Sequence, residues 1–194
     1  MINFSPRVWK NRQEAWEMQD LLFKERCLFL NTAIEQESAL AICQQLMVLA
    51  QDNAEMPIKL HLMSPGGSVN SALAMVDTIQ TIKPPVETIV MGFAASAAAL
   101  TLAAGAKGKR KATYNSRIMI HQVASRTEGK LEDMMVQIKE TQALDEILNE
   151  MLAKFTGKTK KEIQEAIKKD NYMSPQEAKE FGLIDEIVPW TKTW

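Results

Sequence analysis

An α/β fold built on a parallel sheet is what the 194-residue sequence predicts, and three observations predict it. Ile58 to Met63 (IKLHLM) alternates apolar and polar residues as a half-buried strand does, and Val86 to Met91 is a second strand-like run. Each run meets glycine and then a helical stretch, Ser68 to Ile82 after the first and Ala95 to Ala104 after the second. Strand, tight turn and helix in immediate succession is the pattern of right-handed crossovers over a parallel sheet.

The elements follow in chain order. Residues 1–20 carry Trp9 and Trp16 among polar residues with no sustained period, so they read as an arm or a short helix on the surface, and residues 21–194 as a single domain. Arg26 to Leu30 (RCLFL) reads as a short strand. From Glu35 to Gln51 the residues Leu40, Ile42, Leu46, Met47 and Leu49 recur at helical spacing. Ser64-Pro65-Gly66-Gly67 is a turn that permits positive φ, Pro84 and Pro85 stop the helix before them, and Gly92 turns the second strand toward the next helix. Lys111 to Tyr114, a turn at Asn115-Ser116, and the strand-like Arg117 to Ile120 then lead to His121. A long helix follows, its apolar residues from Leu131 to Phe155 forming one stripe over about 40 Å at roughly 1.5 Å per residue. Such a stripe needs something to cover it. Capping boxes at Thr159/Glu162 and Ser174/Glu177 bracket a loop containing Asp170, and Pro175 occupies a favoured first helical position. Gly182 ends the last helix, and Leu183 to Val188 is a closing strand.

Composition narrows the function classes. With 46% apolar and 24% charged residues the chain is built to bury a core, which argues against disorder. The net charge of -1, from 23 basic and 24 acidic residues mixed along the chain, provides no field that selects nucleic acid or an anionic membrane. Lys107, Lys109, Arg110 and Lys111 form the one basic cluster and read as a solvated surface turn. Cys27 and Cys43, without a Cys/His cluster, support neither a disulfide framework nor a zinc site, and both read as buried thiols of a cytosolic protein. The N-terminus lacks the apolar core of a signal peptide, and the longest uncharged stretch, Ile89 to Ala106, falls short of the ~20 residues that a membrane span needs. The expectation is a cytoplasmic protein without cofactor, metal, nucleic-acid or membrane partner.

Three positions carry potential chemistry. Ser96, in Gly92-Phe93-Ala94-Ala95-Ser96-Ala97, lies where a strand gives way to a helix, so unpaired N–H groups and the positive end of a helix dipole surround its hydroxyl. The same window also fits a helix-capping serine. Gly66-Gly67 leaves N–H groups at a strand's end, and those of Gly67 and Ala97 could hold an oxyanion, although such turns are common. Only His61 and His121 are available to activate a serine; His61 falls mid-strand and His121 ends one, where sites in parallel sheets collect. A third, orienting carboxylate is open among Asp77, Asp133, Asp170 and Asp185.

From about Leu21 to Val188 the chain resembles ClpP, the proteolytic subunit family of the Clp protease. The stretches that carry the resemblance are LLFKERCLFL, SPGGSVNSALAMVDTIQTIKP, MGFAASAAALTLAAGAKGKR, NSRIMIHQ and KKDNYMSPQEAKEFGLIDEIV, in family order and near family spacing. The resemblance implies a ClpP/crotonase-like spiral of β-β-α units with a projecting handle at about residues 122–157. It implies a serine endopeptidase that cuts unfolded polypeptides or peptides, with Ser96 as nucleophile, His121 as base, Asp170 orienting the histidine, and the N–H groups of Gly67 and Ala97 as oxyanion donors. Gly66, Val69, Gln122, Val123, Ala124 and Ser125 fall at substrate-binding positions. The implied assembly is two stacked seven-membered rings, a tetradecamer, served by an AAA+ unfoldase.

Two departures bear on these expectations. After the histidine the family has a proline and several glycines; here stand Val123-Ala124-Ser125-Arg126-Thr127-Glu128-Gly129, which puts peptide preference in question. At the positions where the family presents aromatic residues to its unfoldase stand Lys59, His61 and Lys111, so cations replace the apolar anchors, and the expectation is a different ATPase, a second ClpP-type subunit in a mixed ring, or action without an ATPase. Two other classes compete with the peptidase. A catalytically silent ring subunit generally lacks a triad residue, whereas all three are retained here. A crotonase-like acyl-CoA enzyme shares the spiral fold and oxyanion hole but employs carboxylates, and the MIHQ and DNYMS segments argue against it.

Overall fold

A computed structural model describes residues 7–9 and 15–190 of the chain. Of the expected N-terminal arm, residues 1–6 and 10–14 lie outside the described residues, as do residues 191–194. In chain order the elements are β1 (Arg7–Trp9), β2 (Ala15–Glu17), α1 (Met18–Lys24), β3 (Cys27–Leu30), α2 (Gln36–Asp52), β4 (Ile58–Ser64), α3 (Val69–Thr81), β5 (Val86–Ala95), α4 (Ala97–Ala103), β6 (Arg110–Thr113), β7 (Arg117–Ile120), α5 (Leu131–Thr156), α6 (Lys160–Ala166), β8 (Asn171–Met173), α7 (Pro175–Phe181) and β9 (Glu186–Val188). In the arm, β1 and β2 pair antiparallel, an arrangement that the aperiodic sequence does not announce.

The main sheet runs β3-β4-β5-β6-β9, parallel throughout, as the crossover pattern predicts. Alternate residues point to opposite faces. Leu60, Leu62, Val90 and Ala112 pack inward, fully buried, with Leu46, Met75 and Leu102 of the covering helices. The other face bears Lys59, Met63, Met91 and Lys111, and there Met63 and Met91 are exposed. Gly92 does not end the second strand: at φ 79 it bends β5, which continues to Ala95 and delays the helix start to Ala97. Across that bend Leu62 pairs with Val90 but Ser64 pairs with Ala94, so β5 carries a bulge. Before the bend β5 pairs with β6 and after it with β7.

Both expected capping boxes form, Thr159 with Glu162 and Ser174 with Glu177, and Gly182 closes α7 at φ 95. The closing strand is shorter than read, because Leu183 and Ile184 are core residues before β9 rather than part of it. The loop that follows α6 contains β8, which pairs antiparallel with β7. In α5 the apolar stripe is covered over only part of its length. Leu152 is buried and Leu148, Met151 and Phe155 pack on the core, while Leu131 is 74% exposed, Met135 50% and Val136 67%. No helix among the described residues is long and apolar enough to cross a membrane.

Two readings made from composition are corrected. Cys27 is half-buried, since it sits on the less covered face of the sheet; only Cys43 is buried. The basic turn is not uniformly solvated, because Arg110 is 1% exposed. Its Nε and Nη2 donate to Asp185 at 2.8 and 2.6 Å, and its Nη1 donates to the Phe155 carbonyl at 2.9 Å, tying β6 to the end of α5 and the start of β9. Lys111, half-buried, pairs with Glu87 at 2.8 Å and Glu186 at 3.5 Å.

Burial pushes the Asp185 carboxyl up, but hydrogen bonds from the Arg110 side chain and backbone and from the Gly108 N–H outweigh it and leave the carboxyl below its ordinary value. A carboxyl lowered by folding stabilises the native state above its unfolded pKa, and that contribution drains away as pH falls through the native one. Asp185→Asn is expected to cost about 3–5 kcal/mol, because it strands a buried guanidinium. Chemical denaturation at neutral pH measures that loss, and the gap between variant and parent is expected to narrow as the pH is taken below the ordinary carboxylate range.

Candidate active site

The bend in β5 delivers Ser96 to the end of β7. Its N–H donates to the Met119 carbonyl at 2.8 Å, and its backbone is held at φ 56, ψ -124, a region that residues with a Cβ rarely occupy. Ser96 occupies the N-cap position of α4 but its hydroxyl makes no capping bond. The Oγ instead lies 2.8 Å from His121 Nε2. The hydroxyl thus faces the imidazole rather than the N–H groups of α4.

His121 follows the last residue of β7, and the antiparallel register with β8 brings in its partner. Ile120 pairs with Asn171, so the next step along both strands sets His121 across from Asp170. His121 Nδ1 lies 3.1 Å from Asp170 Oδ1. A carboxylate only accepts, so Nδ1–H donates to it and the Nε2 lone pair is left facing the Ser96 hydroxyl. Of the four carboxylates that the sequence offered, Asp170 is the one within hydrogen-bond reach of the imidazole. It is 59% exposed, against 26% for His121.

Gly67 forms a parallel bridge to Ile34: the Ile34 N–H donates to the Gly66 carbonyl at 2.8 Å and the Ser68 N–H to the Ile34 carbonyl at 2.7 Å. These bonds use the groups flanking Gly67, so its own N–H faces away from Ile34. Ala97, as the first residue of α4, has no intrahelical acceptor for its N–H. Gly66, at φ 87, packs so closely that a Cβ there would lie 2.5 Å from the Ala95 carbonyl oxygen and 2.9 Å from the Ala97 nitrogen.

Ser96, His121, Gly67 and Ala97 line a cleft of about 250 Å³. Of the expected substrate-binding residues, Val69, Gln122, Val123 and Ala124 are in its wall. Gly66 and Ser125 are not: Gly66 is buried beneath the turn, and the chain has left the cleft at exposed Ser125. The Gln122 N–H donates to the Ile167 carbonyl at 3.1 Å, and the Val123 N–H donates to Asp145 Oδ1 at 3.1 Å. Asp145 and its hydrogen-bond partner Asn149, both in the cleft wall, were missed. The available signal was their spacing, which interleaves them with Leu148 and Leu152 on one helix face.

Lys59, His61 and Lys111 come together elsewhere, in a groove of about 630 Å³ on the sheet face away from the main core, with Phe29, Ile89 and Met91. His61 is buried and stacks on Phe29, centroids 4.6 Å apart. Burial and then the neighbouring Lys59 charge hold its imidazole below the ordinary value. Among the described residues no group of three or more His, Cys, Asp or Glu could hold a metal ion.

The Ser96 backbone generates a prediction about stability. Left-handed backbone at a residue with a Cβ costs about 1–3 kcal/mol, and glycine removes most of that cost. Ser96→Gly is expected to be more stable than Ser96→Ala by about 1–2 kcal/mol in urea or thermal unfolding; equal stabilities would show that the serine's conformation carries no strain.

The family model of the Clp protease matches residues 10–190, a span that contains every residue of the cleft and the groove.

Proposed function

The chain belongs to the Clp protease family, a family of peptidases that form rings, and on that premise we propose that it is a serine endopeptidase subunit using Ser96, His121 and Asp170. The observation that supports this most is the unbroken chain of contacts, 2.8 Å from Ser96 Oγ to His121 Nε2 and 3.1 Å from Nδ1 to Asp170. In the proposed reaction the Ser96 Oγ attacks the scissile carbonyl while His121 takes its proton. The Gly67 and Ala97 N–H groups receive the developing oxyanion, each contributing roughly 2.7–4 kcal/mol to the transition state. Protonated His121 then gives its proton to the leaving amine, and water repeats the sequence on the acyl-enzyme. Asp170 keeps the imidazole in the tautomer that can accept. Because the N–H groups of Gln122 and Val123 are already bonded within the chain, backbone pairing with a substrate falls to Ala124 and the residues after it.

The β-β-α units are read as the turns of a spiral, α5 as a handle, and the assembly as two stacked seven-membered rings around a chamber. What supports this reading is the bare N-terminal half of α5, where Leu131, Met135 and Val136 lie exposed on an otherwise anchored helix. The groove bearing Lys59, His61 and Lys111 keeps an apolar floor but lacks aromatic anchors at those three positions. It therefore favours a partner other than a standard unfoldase loop: a different ATPase, or a second subunit type in a mixed ring.

Two experiments test these readings. A fluorophosphonate or β-lactone probe is expected to label the assembled protein at Ser96, and Ser96→Ala to abolish labelling and lower peptide turnover by up to ~10⁶. Labelling that persists in the variant would remove Ser96 as nucleophile. The double variant Leu131→Asp/Met135→Asp is expected to reduce the assembly from paired to single rings in sedimentation velocity, with protomer stability changed by no more than about 0.5 kcal/mol.

A further inference from the structure

The catalytic cleft is walled largely by apolar side chains, among them Val69, Leu100, Leu148 and Leu152. One carboxylate interrupts that wall. Asp145, carried on α5, is half-buried there. Its Oδ1 accepts from the Val123 N–H at 3.1 Å and its Oδ2 accepts from Asn149 Nδ2 at 3.0 Å. A carboxylate offers about four acceptor sites, so roughly two remain, and both donors are neutral. The ion pairs formed among the described residues all involve other carboxylates.

Asn149 provides a second, independent sign. It is 1% exposed, and its Oδ1 has no hydrogen-bond partner among the described residues. Because a carboxylate only accepts, the amide nitrogen must face Asp145, which makes the unpartnered atom an acceptor. The wall thus holds a negative charge without a cation and, beside it, a buried oxygen without a donor. Both deficits are costly in a largely apolar recess, and one cationic ligand would reduce both.

We propose that Asp145 is a specificity-determining residue that makes the cleft prefer peptides with a lysine or arginine side chain immediately before the scissile bond. This rests on the serine-peptidase reading. The residue whose carbonyl meets Ser96, Gly67 and Ala97 has its own side chain beside this cleft. A lysine or arginine stem packs on the apolar wall, as such stems commonly do, and its charged head reaches the carboxylate. An aliphatic side chain fills the same wall but leaves the carboxylate uncompensated, and an acidic one is repelled.

The test uses the assembled protein. Fluorophosphonate labelling of Ser96 comes first, since the probe reports the nucleophile without regard to peptide preference. Matched fluorogenic peptides with lysine, arginine or norleucine before the scissile bond are then compared by kcat/KM; norleucine supplies the lysine stem without its ammonium. Lysine is expected to exceed norleucine at least ten-fold. Asp145→Asn keeps an acceptor for the Val123 N–H while removing the charge, and is expected to bring that ratio to one or below. Norleucine cleaved as well as lysine by the parent protein overturns the proposal even where the variant does not accumulate. A ratio unchanged in Asp145→Asn also overturns it, because the carboxylate would then act on backbone position alone. Failure to label Ser96 overturns the peptidase reading and this inference together, whereas labelling without basic preference overturns this inference only.

Discussion

One strand changes partners halfway along its length, and the site depends on that change. Up to Val90, β5 lies between β4 and β6; beyond Gly92 it lies between β4 and β7. A straight strand would have continued beside β6 and left Ser96 without β7 beneath it. The bend places the end of β5 next to the end of β7, where the Ser96 N–H finds the Met119 carbonyl and its hydroxyl finds His121. Gly92 makes the bend at a φ of 79, which glycine adopts without steric cost.

At the far end of the bend, backbone strain is concentrated at Ser96. Ser96 and Arg26 are the residues other than glycine with positive φ among those described. Arg26 is surrounded by acceptors, its Nη2 sharing two hydrogens among the carbonyls of Leu49, Asn53 and Met56, so its conformation serves the end of α2. The Ser96 N–H and hydroxyl are directed at β7 and His121, while its carbonyl accepts from the Ala99 and Leu100 N–H groups of α4 at 2.9 and 3.3 Å. Unfavourable backbone geometry there aims the hydroxyl at His121 while the carbonyl opens α4.

Most of the fold is legible in the sequence because its signals are local. The glycine turns, the proline stops at Pro84 and Pro85, and the two capping boxes each specify their own few residues. What was not legible depends on pairing between distant segments. β8 has three residues and no alternation to mark it, yet its register with β7 is what singles out Asp170 from the other candidate carboxylates. Arg110 looks like any lysine-rich turn until Asp185 arrives from 75 residues away. Asp145 and Asn149 hide in a helix read for its apolar stripe, since a polar residue on a covered face announces itself only once the neighbouring wall is known. Ser96 and His121 stood out for local reasons, a strand-to-helix junction and the scarcity of histidine; their mutual distance did not.

The exposure of Asp170 has a consequence for motion. A carboxylate that faces water gains little from burial, so its position is set by the backbone that carries it, and that backbone is the lead-in to a strand of three residues. Short edge pairings are among the first segments of a native protein to open, at free energies well below that of global unfolding. The imidazole is thus held on one side by the rigid end of β7 and on the other by a segment with its own, smaller opening equilibrium. Ser96 and the Gly67 and Ala97 N–H groups lie outside that segment, so an opening there would act on the orientation of the ring alone.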